Sequence, residues 1–374
     1  HHPIFCFMSD ASTLFGKATE ISSGLFYTPV HTPATMAHEQ VVYFKDEKTG
    51  LQTIIAIHDT TFGPSLGGTR MWPYPNLETA LDDVLRLSKG MTYKAAISKL
   101  AQGGGKAVII GDSRTEKSKE LFWAFGRCVD FLGGQYITAE DVGMDEENMV
   151  WVHQETSHVT GLPKYLGGSG DPSPFTALGV YVSMKASMKY ATGKDSLEGK
   201  KIAIQGAGHV ASYLAKHLQK EGAELFISDI YSEKAENLAA EVGGKIIAPE
   251  HLLSLQVDIL SPCALGGVIN DQTINSLACD FIVGGANNIL MEEVHAQLLK
   301  DKSILYAPDY VVNAGGVINI SNEIGGYSHE RAEKQTRRIY HTLMEIFDYA
   351  EIHNLTPNLA SNQLVEQRLA NTRK

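Results

Sequence analysis

The segment "QGGGKAVIIGD", residues 102–112, sets Lys106 between three glycines and a run of small or β-branched apolar residues. A flexible cation at the mouth of a buried strand suits two chemistries. It can bind phosphate, or it can be a lysine that gives up its proton. The phosphate-loop reading fails on spacing, because Leu100 stands where the first glycine is needed and Ala107 replaces the Ser or Thr after the lysine. A second lysine, Lys94, lies twelve residues upstream in "KGMTYKAA", and "TAEDVG" puts Asp141 at the end of a strand. Two lysines and a carboxylate around a glycine-rich wall make a specific proposal. One ammonium anchors a substrate carboxylate. The other, close to the first and partly desolvated, is a general base poised near neutrality. A lone lysine is more often a surface cation, but the apolar strand behind Lys106 argues against that here. Gly103, Gly104 and Gly105 are expected to leave room for substrate beside the chain.

A second constellation is "IAIQGAGHVA", which carries Gly206, Gly208 and Ala211 as G-x-G-x-x-A. The triplet alone is weak evidence. Its context is complete, however: a strand precedes it, a helix follows, and Asp229 ends the next strand 23 residues after Gly206. Gly206 permits the tight turn, and Gly208 lets backbone N–H groups approach a pyrophosphate at the helix N-terminus. Ala211 allows close helix–sheet packing. Asp229 can accept hydrogen bonds from ribose hydroxyls and would repel a 2′-phosphate, so NAD is favoured over NADP. His209, inside the loop, is expected to face solvent.

The elements that must position these residues read as α/β. Strands are expected at Val41–Phe44, Gln52–Asp59, "KAVIIGD" and "QYITAED". Helices are expected from Asn76 to about Lys89 and along Leu121, Phe125, Cys128, Val129 and Leu132. Glycine, serine and proline cluster from Gly167 to Pro174 as a hinge, and Ser173–Pro174 reads as a helix start running to about Tyr190. Beyond it strands and helices alternate: "KIAIQ", "ELFISD", "VDILSPC", "DFIVGGANN" and "SILYAPDYVV" are the strands. That alternation implies a doubly wound parallel sheet of the Rossmann type. Ile339, Leu343, Ile346, Phe347 and Ala350 line a long helix beginning near Ser328. Two domains follow: 1–170 for substrate and catalysis, 171–329 for NAD, with helices from about 330 to 374 returning to the first.

The 374 residues are 43% hydrophobic and 20% charged, with a net charge of −11, which argues against nucleic-acid or anionic-membrane surfaces. The four cysteines, Cys6, Cys128, Cys263 and Cys279, show no CxxC spacing, so neither a metal site nor a disulfide framework follows. No apolar run has the length of a membrane span. His1–His2 look like a tag remnant, Met8 could be an earlier start, and no targeting segment is evident, so a cytoplasmic protein is expected.

The stretches "IIAIHDTTFGPSLGGTRMW", "LRLSKGMTYKAA", "GGGKAVIIGD", "YITAEDVG", "SPCALGG", "GGANN" and "YAPDYVVNAGGVIN" resemble the leucine/phenylalanine/valine dehydrogenases, relatives of glutamate dehydrogenase. The resemblance runs from about Glu39 to the last helix. It implies NAD-dependent oxidative deamination of an L-amino acid to the 2-oxo acid and ammonia, and the reverse. By that resemblance Lys94 binds the substrate carboxylate, Lys106 is the base, and Asp141 handles protons at the amino group. Gly67 and Gly68 form a backbone wall, and Asn288 and Asn313 meet the substrate. Thr176 and Asn287 stand near the nicotinamide, and Ala207, His209, Val210, Cys263 and Ala264 join the glycines along the dinucleotide. Leu66, Met91, Ala139, Val317 and Ile320 match an apolar side-chain pocket. Ala139 and Val317, where aromatic-specific members tend to have glycine and leucine, imply leucine first, then valine and isoleucine. The rivals are an aromatic amino acid dehydrogenase and a non-catalytic NAD-binding relative. The resemblance also implies a homo-oligomer, between dimer and octamer.

Overall fold

The computed structural model describes residues 15–374, so Cys6, Met8 and His1–His2 lie outside the described residues. The chain forms two compact units. One runs to Gly170 and adds Ile320–Tyr327 and Leu369–Lys374. The other is Asp171–Asn319 with Ser328–Arg368.

The first unit contains β1 (Thr19–Ser22), β2 (Leu25–Pro29), β3 (Gln40–Asp46), β4 (Gln52–Asp59), β5 (Ser65–Trp72), α1 (Leu77–Ile97), β6 (Gly103–Ile110), α2 (Lys119–Phe131), β7 (Tyr136–Glu140) and α3 (Glu146–His153). Its sheet has the order β1-β2-β3-β4-β6-β5-β7. Pairing is antiparallel from β1 through β4 to β6, and β5 runs parallel to both β6 and β7. The alternation of buried positions feeds two apolar layers. One packs Phe44, Ile55 and Ile57 against Phe122 and Phe125 of α2; the other packs Ile54, Ala56 and Val108 against Leu81 and Val84 of α1. Each such side chain stabilises the fold by roughly 1.5–3 kcal/mol.

Helix α1 is longer than expected. Asn76 caps it, accepting from Thr79 N at 2.9 Å, but Gly90 does not end it. It continues to Ile97 and stops where Lys99 turns left-handed at φ 56°. Met91 and Lys94 therefore ride on a helix that lies against β6.

The second unit is built from α4 (Ser173–Thr192), β8 (Lys201–Gln205), α5 (His209–Lys220), β9 (Glu224–Ser228), α6 (Ser232–Val242), β10 (Lys245–Ile246), α7 (Pro249–Leu252), β11 (Val257–Pro262), β12 (Cys279–Ile282), α8 (Val294–Asp301), β13 (Leu305–Tyr306) and α9 (Asp309–Val312). Then come α10 (Gly315–Ser321), α11 (His329–Arg337), α12 (Ile339–Ile352) and α13 (Pro357–Thr372). Its sheet is parallel throughout, in the order β10-β9-β8-β11-β12-β13. The direction of winding reverses between β8 and β11, where ligands of open α/β sheets bind beyond the strand ends.

Three expectations are corrected. "SILYAPDYVV" is a strand only at Leu305–Tyr306, because Pro308 offers no N–H and Asp309–Val312 turn helical behind it. The long helix from Ser328 is two helices that meet at Arg338, although Ser328 does cap the first, accepting from Arg331 N at 3.2 Å. The C-terminal helices also group differently. Ser328–Arg368 belong with the second unit, and only Leu369–Lys374 with the first. The apolar stripe of α12 explains this: it packs on α4, with the Phe347 and Tyr190 rings 5.1 Å apart. In the last six residues Arg373 pairs with the buried Asp59 of β4. Among the described residues no helix is long and apolar enough to cross a membrane.

Candidate active site

Lys106 is the fourth residue of β6 and only 6% exposed. Its Nζ lies 3.3 Å from Oδ2 of Asp141, just beyond the end of β7. Burial pushes the Lys106 pKa down, against the pull of Asp141, and the positive charge of Arg70 pushes it further down. Burial acts to raise the Asp141 carboxyl, but Lys106 and Arg70 together hold it below the usual carboxylate range. The Lys106 proton is thus held less tightly than that of an ordinary lysine, and the Asp141 carboxyl is biased toward its ionised form.

Contrary to the expectation from the sequence, protein fills the space beside Gly103–Gly105. A Cβ on Gly104 would stand 2.0 Å from Thr92 N and 2.2 Å from its Oγ1. The missing side chain lets α1 approach β6, and Lys94 is half-buried on that helix, two residues after Thr92. Gly68 works likewise, since a Cβ there would come within 2.9 Å of Asp141 Cβ. Gly67 is fixed through its carbonyl, which accepts from Tyr136 Oη at 2.6 Å.

The expected pocket residues divide between the units. Leu66 pairs with Ile137, and Gly68 with Ala139, across β5 and β7, so these residues adjoin in the first unit. Leu66 is 1% exposed, and Met91 is half-buried on α1. Val317 and Ile320 sit three residues apart on α10, which puts them on one face of that helix; Ile320 groups with the first unit and Val317 with the second.

Sequence reasoning missed Arg70. Its Nε donates to Asp141 Oδ2 at 2.9 Å, and its Nη1 is 3.2 Å from Asp83 Oδ2 on α1. Asp83 also accepts from Tyr74 Oη and from Arg86 at 2.8 Å. The available signal was a charged residue two positions after Gly68 on the strand facing Asp141. β5 itself is hard to read as a strand, because two glycines interrupt it.

In the second unit Gly206 follows β8 at φ 105°, and a Cβ there would stand 3.0 Å from Ala264 Cβ. Cys263 N donates to Gln205 O at 2.9 Å, so the loops after β8 and β11 run side by side. Burial raises the Cys263 thiol pKa. Gly285 brings Val210, Val180 and Cys263 around one point. Asn313 Nδ2 donates to Asn287 Oδ1 at 2.7 Å and to Ala286 O at 3.3 Å. Asn288 adopts a left-handed φ of 52°, and its carbonyl accepts from Gly267 N at 2.7 Å. Thr176 on α4 lies against Gly316, next to Val317.

These residues fit a dinucleotide. Gly208 begins α5 with no side-chain cap, so the helix N-terminus keeps its donors for a ligand. A Cβ at Gly208 would meet nothing within 4 Å. His209 is exposed, and Ala211 is buried against the sheet. Asp229 accepts from Ala207 N and Tyr231 N, both at 2.8 Å, so its carboxylate is oriented by the glycine loop and retains lone pairs for hydroxyl donors. Among the described residues no cluster of three His, Cys, Asp or Glu could hold a metal ion.

Residues 38–158 match the Glu/Leu/Phe/Val dehydrogenase dimerisation domain, and 167–233 and 226–372 match the Glutamate/Leucine/Phenylalanine/Valine dehydrogenase family. The chain belongs to that family. It is thus an amino acid dehydrogenase, an oxidoreductase that works with a nicotinamide cofactor. A leucine dehydrogenase from Thermoactinomyces intermedius is 50% identical over 337 residues, 90% of this chain and 92% of the relative. A phenylalanine dehydrogenase from Lysinibacillus sphaericus is 48% identical over 337 residues, 89% of this chain and 88% of the relative. The crystal structure of L-tryptophan dehydrogenase from Nostoc punctiforme superposes with a TM-score of 0.83 at 44% identity, covering 90% of this chain and 97% of that one.

Proposed function

We propose that this dehydrogenase uses NAD to deaminate a branched-chain L-amino acid reversibly, leucine ahead of valine and isoleucine, giving the 2-oxo acid, ammonia and NADH. The observation that carries the chemistry is the pair of buried Lys106 and half-buried Asp141 at 3.3 Å. When bound, NAD supplies the two-electron hydride acceptor. Lys94 pairs with the substrate carboxylate beside the Gly67–Gly68 wall. Asp141 takes the proton that leaves the amino group as the α-carbon is oxidised to the iminium. Lys106, a neutral amine, removes a proton from the water that adds to the iminium carbon. The proton passes through Lys106 and Asp141 to the nitrogen, and Lys106 then takes the carbinolamine hydroxyl proton as the C–N bond breaks, leaving the 2-oxo acid and ammonia.

Gly206, Ala207, Gly208, His209, Val210 and Ala211 would cradle the pyrophosphate, and Asp229 would take the ribose hydroxyls and reject a 2′-phosphate. Thr176, Cys263, Ala264 and Asn287 would hold the nicotinamide end, with Asn288 and Asn313 at the substrate. Leu66, Met91, Ala139, Val317 and Ile320 would form the apolar wall. The leucine preference is supported by Ala139 and Val317, and by the leucine dehydrogenase at 50% identity. A difference of one methylene separates such substrates by only about 1–3 kcal/mol. A homo-oligomer is part of this reading, supported by the match to a dimerisation domain; a cytoplasmic location belongs to the same proposal.

Steady-state NAD reduction across the twenty amino acids tests it. The highest kcat/KM is expected for leucine, with NADP much poorer than NAD. A clear preference for phenylalanine would overturn the pocket assignment.

A further inference from the structure

Arg70 lies half-buried on β5 and touches the same oxygen of Asp141 that faces Lys106. Asp141 Oδ2 is therefore shared between two cations, at 2.9 Å from Arg70 and 3.3 Å from Lys106. A guanidinium cannot lose its proton in a protein, whereas an ammonium can. The shorter contact belongs to the permanent cation.

Arg70 is itself held. Its second nitrogen reaches Asp83 on α1, and Asp83 is fixed by Tyr74 and by Arg86. The groups facing Lys106 are thus Asp141 beyond β7, Arg70 from β5 and Asp83 from α1. β4 brings His58 and Asp59 alongside Gly104, but His58 bonds Thr92 and Asp59 pairs with Arg373. With Lys106 as an ammonium, two cations would share one carboxylate oxygen; with Lys106 as an amine, Arg70 alone is the ionic partner of that oxygen.

We propose that Arg70 is a positioning residue for the reaction: it occupies the Asp141 carboxylate as permanent counter-ion, so that Lys106 stands beside it as a free amine. This rests on the reading of Lys106 as the base. Without Arg70, the carboxylate would claim Lys106 as its own ammonium partner. The base would then form only at higher pH, and activity would be lost from the acid side.

The test is the kcat/KM–pH profile of Arg70→Gln and Arg70→Lys beside the unaltered enzyme, with Lys106→Ala as a control. Gln keeps a donor for Asp141 but no charge; Lys keeps the charge but not the fork. The acid limb of Arg70→Gln should move up by about one pH unit, roughly a tenfold loss of kcat/KM below it. In Arg70→Lys the limb should stay within about 0.3 unit while kcat falls. An unmoved limb in Arg70→Gln, with activity lowered equally at every pH, overturns the proposal and leaves a structural role. So does an equal upward move in both variants. If Arg70→Gln does not fold, judged by circular dichroism, Arg70→Met replaces it with the same two readings: an upward limb supports the proposal and an unmoved limb overturns it. Wild-type turnover in Lys106→Ala would instead remove the base itself. An inactive Lys106→Ala with an unmoved Arg70→Gln limb removes only the part assigned to Arg70.

Discussion

At Gly104 an added Cβ would stand 2.0 Å from the backbone of Thr92, whereas at Gly208 it would meet nothing within 4 Å. Both glycines lie where a strand meets a functional loop or helix, and the sequence presents them alike. In the first unit the absent side chain is replaced by protein: α1 closes on β6 and Asp141 closes on Gly68. The outcome is a dry setting that lowers the Lys106 pKa. In the second unit the absent side chain leaves an open helix N-terminus. One use of glycine builds an electrostatic environment; the other leaves a seat for phosphate.

Substitutions should separate these uses. The largest effect is expected for Gly104→Ala, where overpacking against backbone should cost about 3 kcal/mol, near the upper end for such changes, as measured by urea unfolding. Unchanged stability would mean that α1 can move away without penalty. Gly206→Ala comes next: its φ of 105° strains any other residue, and about 2 kcal/mol is expected, together with weaker NAD binding by fluorescence titration.

A pH effect is expected on the close-packed side. His38 and His58 stack edge-on at 4.8 Å, bonding Ser88 Oγ at 2.9 Å and Thr92 Oγ1 at 2.7 Å on α1. Burial, reinforced by His38, lowers the His58 pKa to about 4, against 6.5 for an ordinary histidine. The unfolded chain therefore binds the proton first. The contribution is complete above pH 6.5 and is lost as pH falls from 6.5 toward 4. The melting temperature should fall across that window, and less steeply in His58→Gln. An identical slope in that variant would exclude the histidine as the source. The smallest change in stability, within about 0.5 kcal/mol, is expected for Gly208→Ala, which should nonetheless weaken NAD binding several-fold.

The parallel sheet was legible because strand and helix periods alternate cleanly from Lys201 onward and Gly206, Gly208 and Asp229 are local in the chain. Lys94, Lys106 and Asp141 were legible as residues, but the meeting of Lys106 with Asp141 was not, because it depends on strand order: β5 inserts between β6 and β7. Arg70 was invisible for the same reason. It lies 71 residues from Asp141 along the chain and is its neighbour only across the sheet. The room expected beside Gly103–Gly105 failed because glycine composition does not say whether ligand or protein fills the gap.

The most direct test measures the steady-state turnover of leucine to the 2-oxo acid and ammonia and the NAD dissociation constant side by side in Lys106→Ala. A rate lower by about 10²–10⁴-fold, with NAD binding unchanged, is predicted. A rate near that of the unaltered enzyme would contradict the account, as would a loss of NAD binding that explains the whole defect.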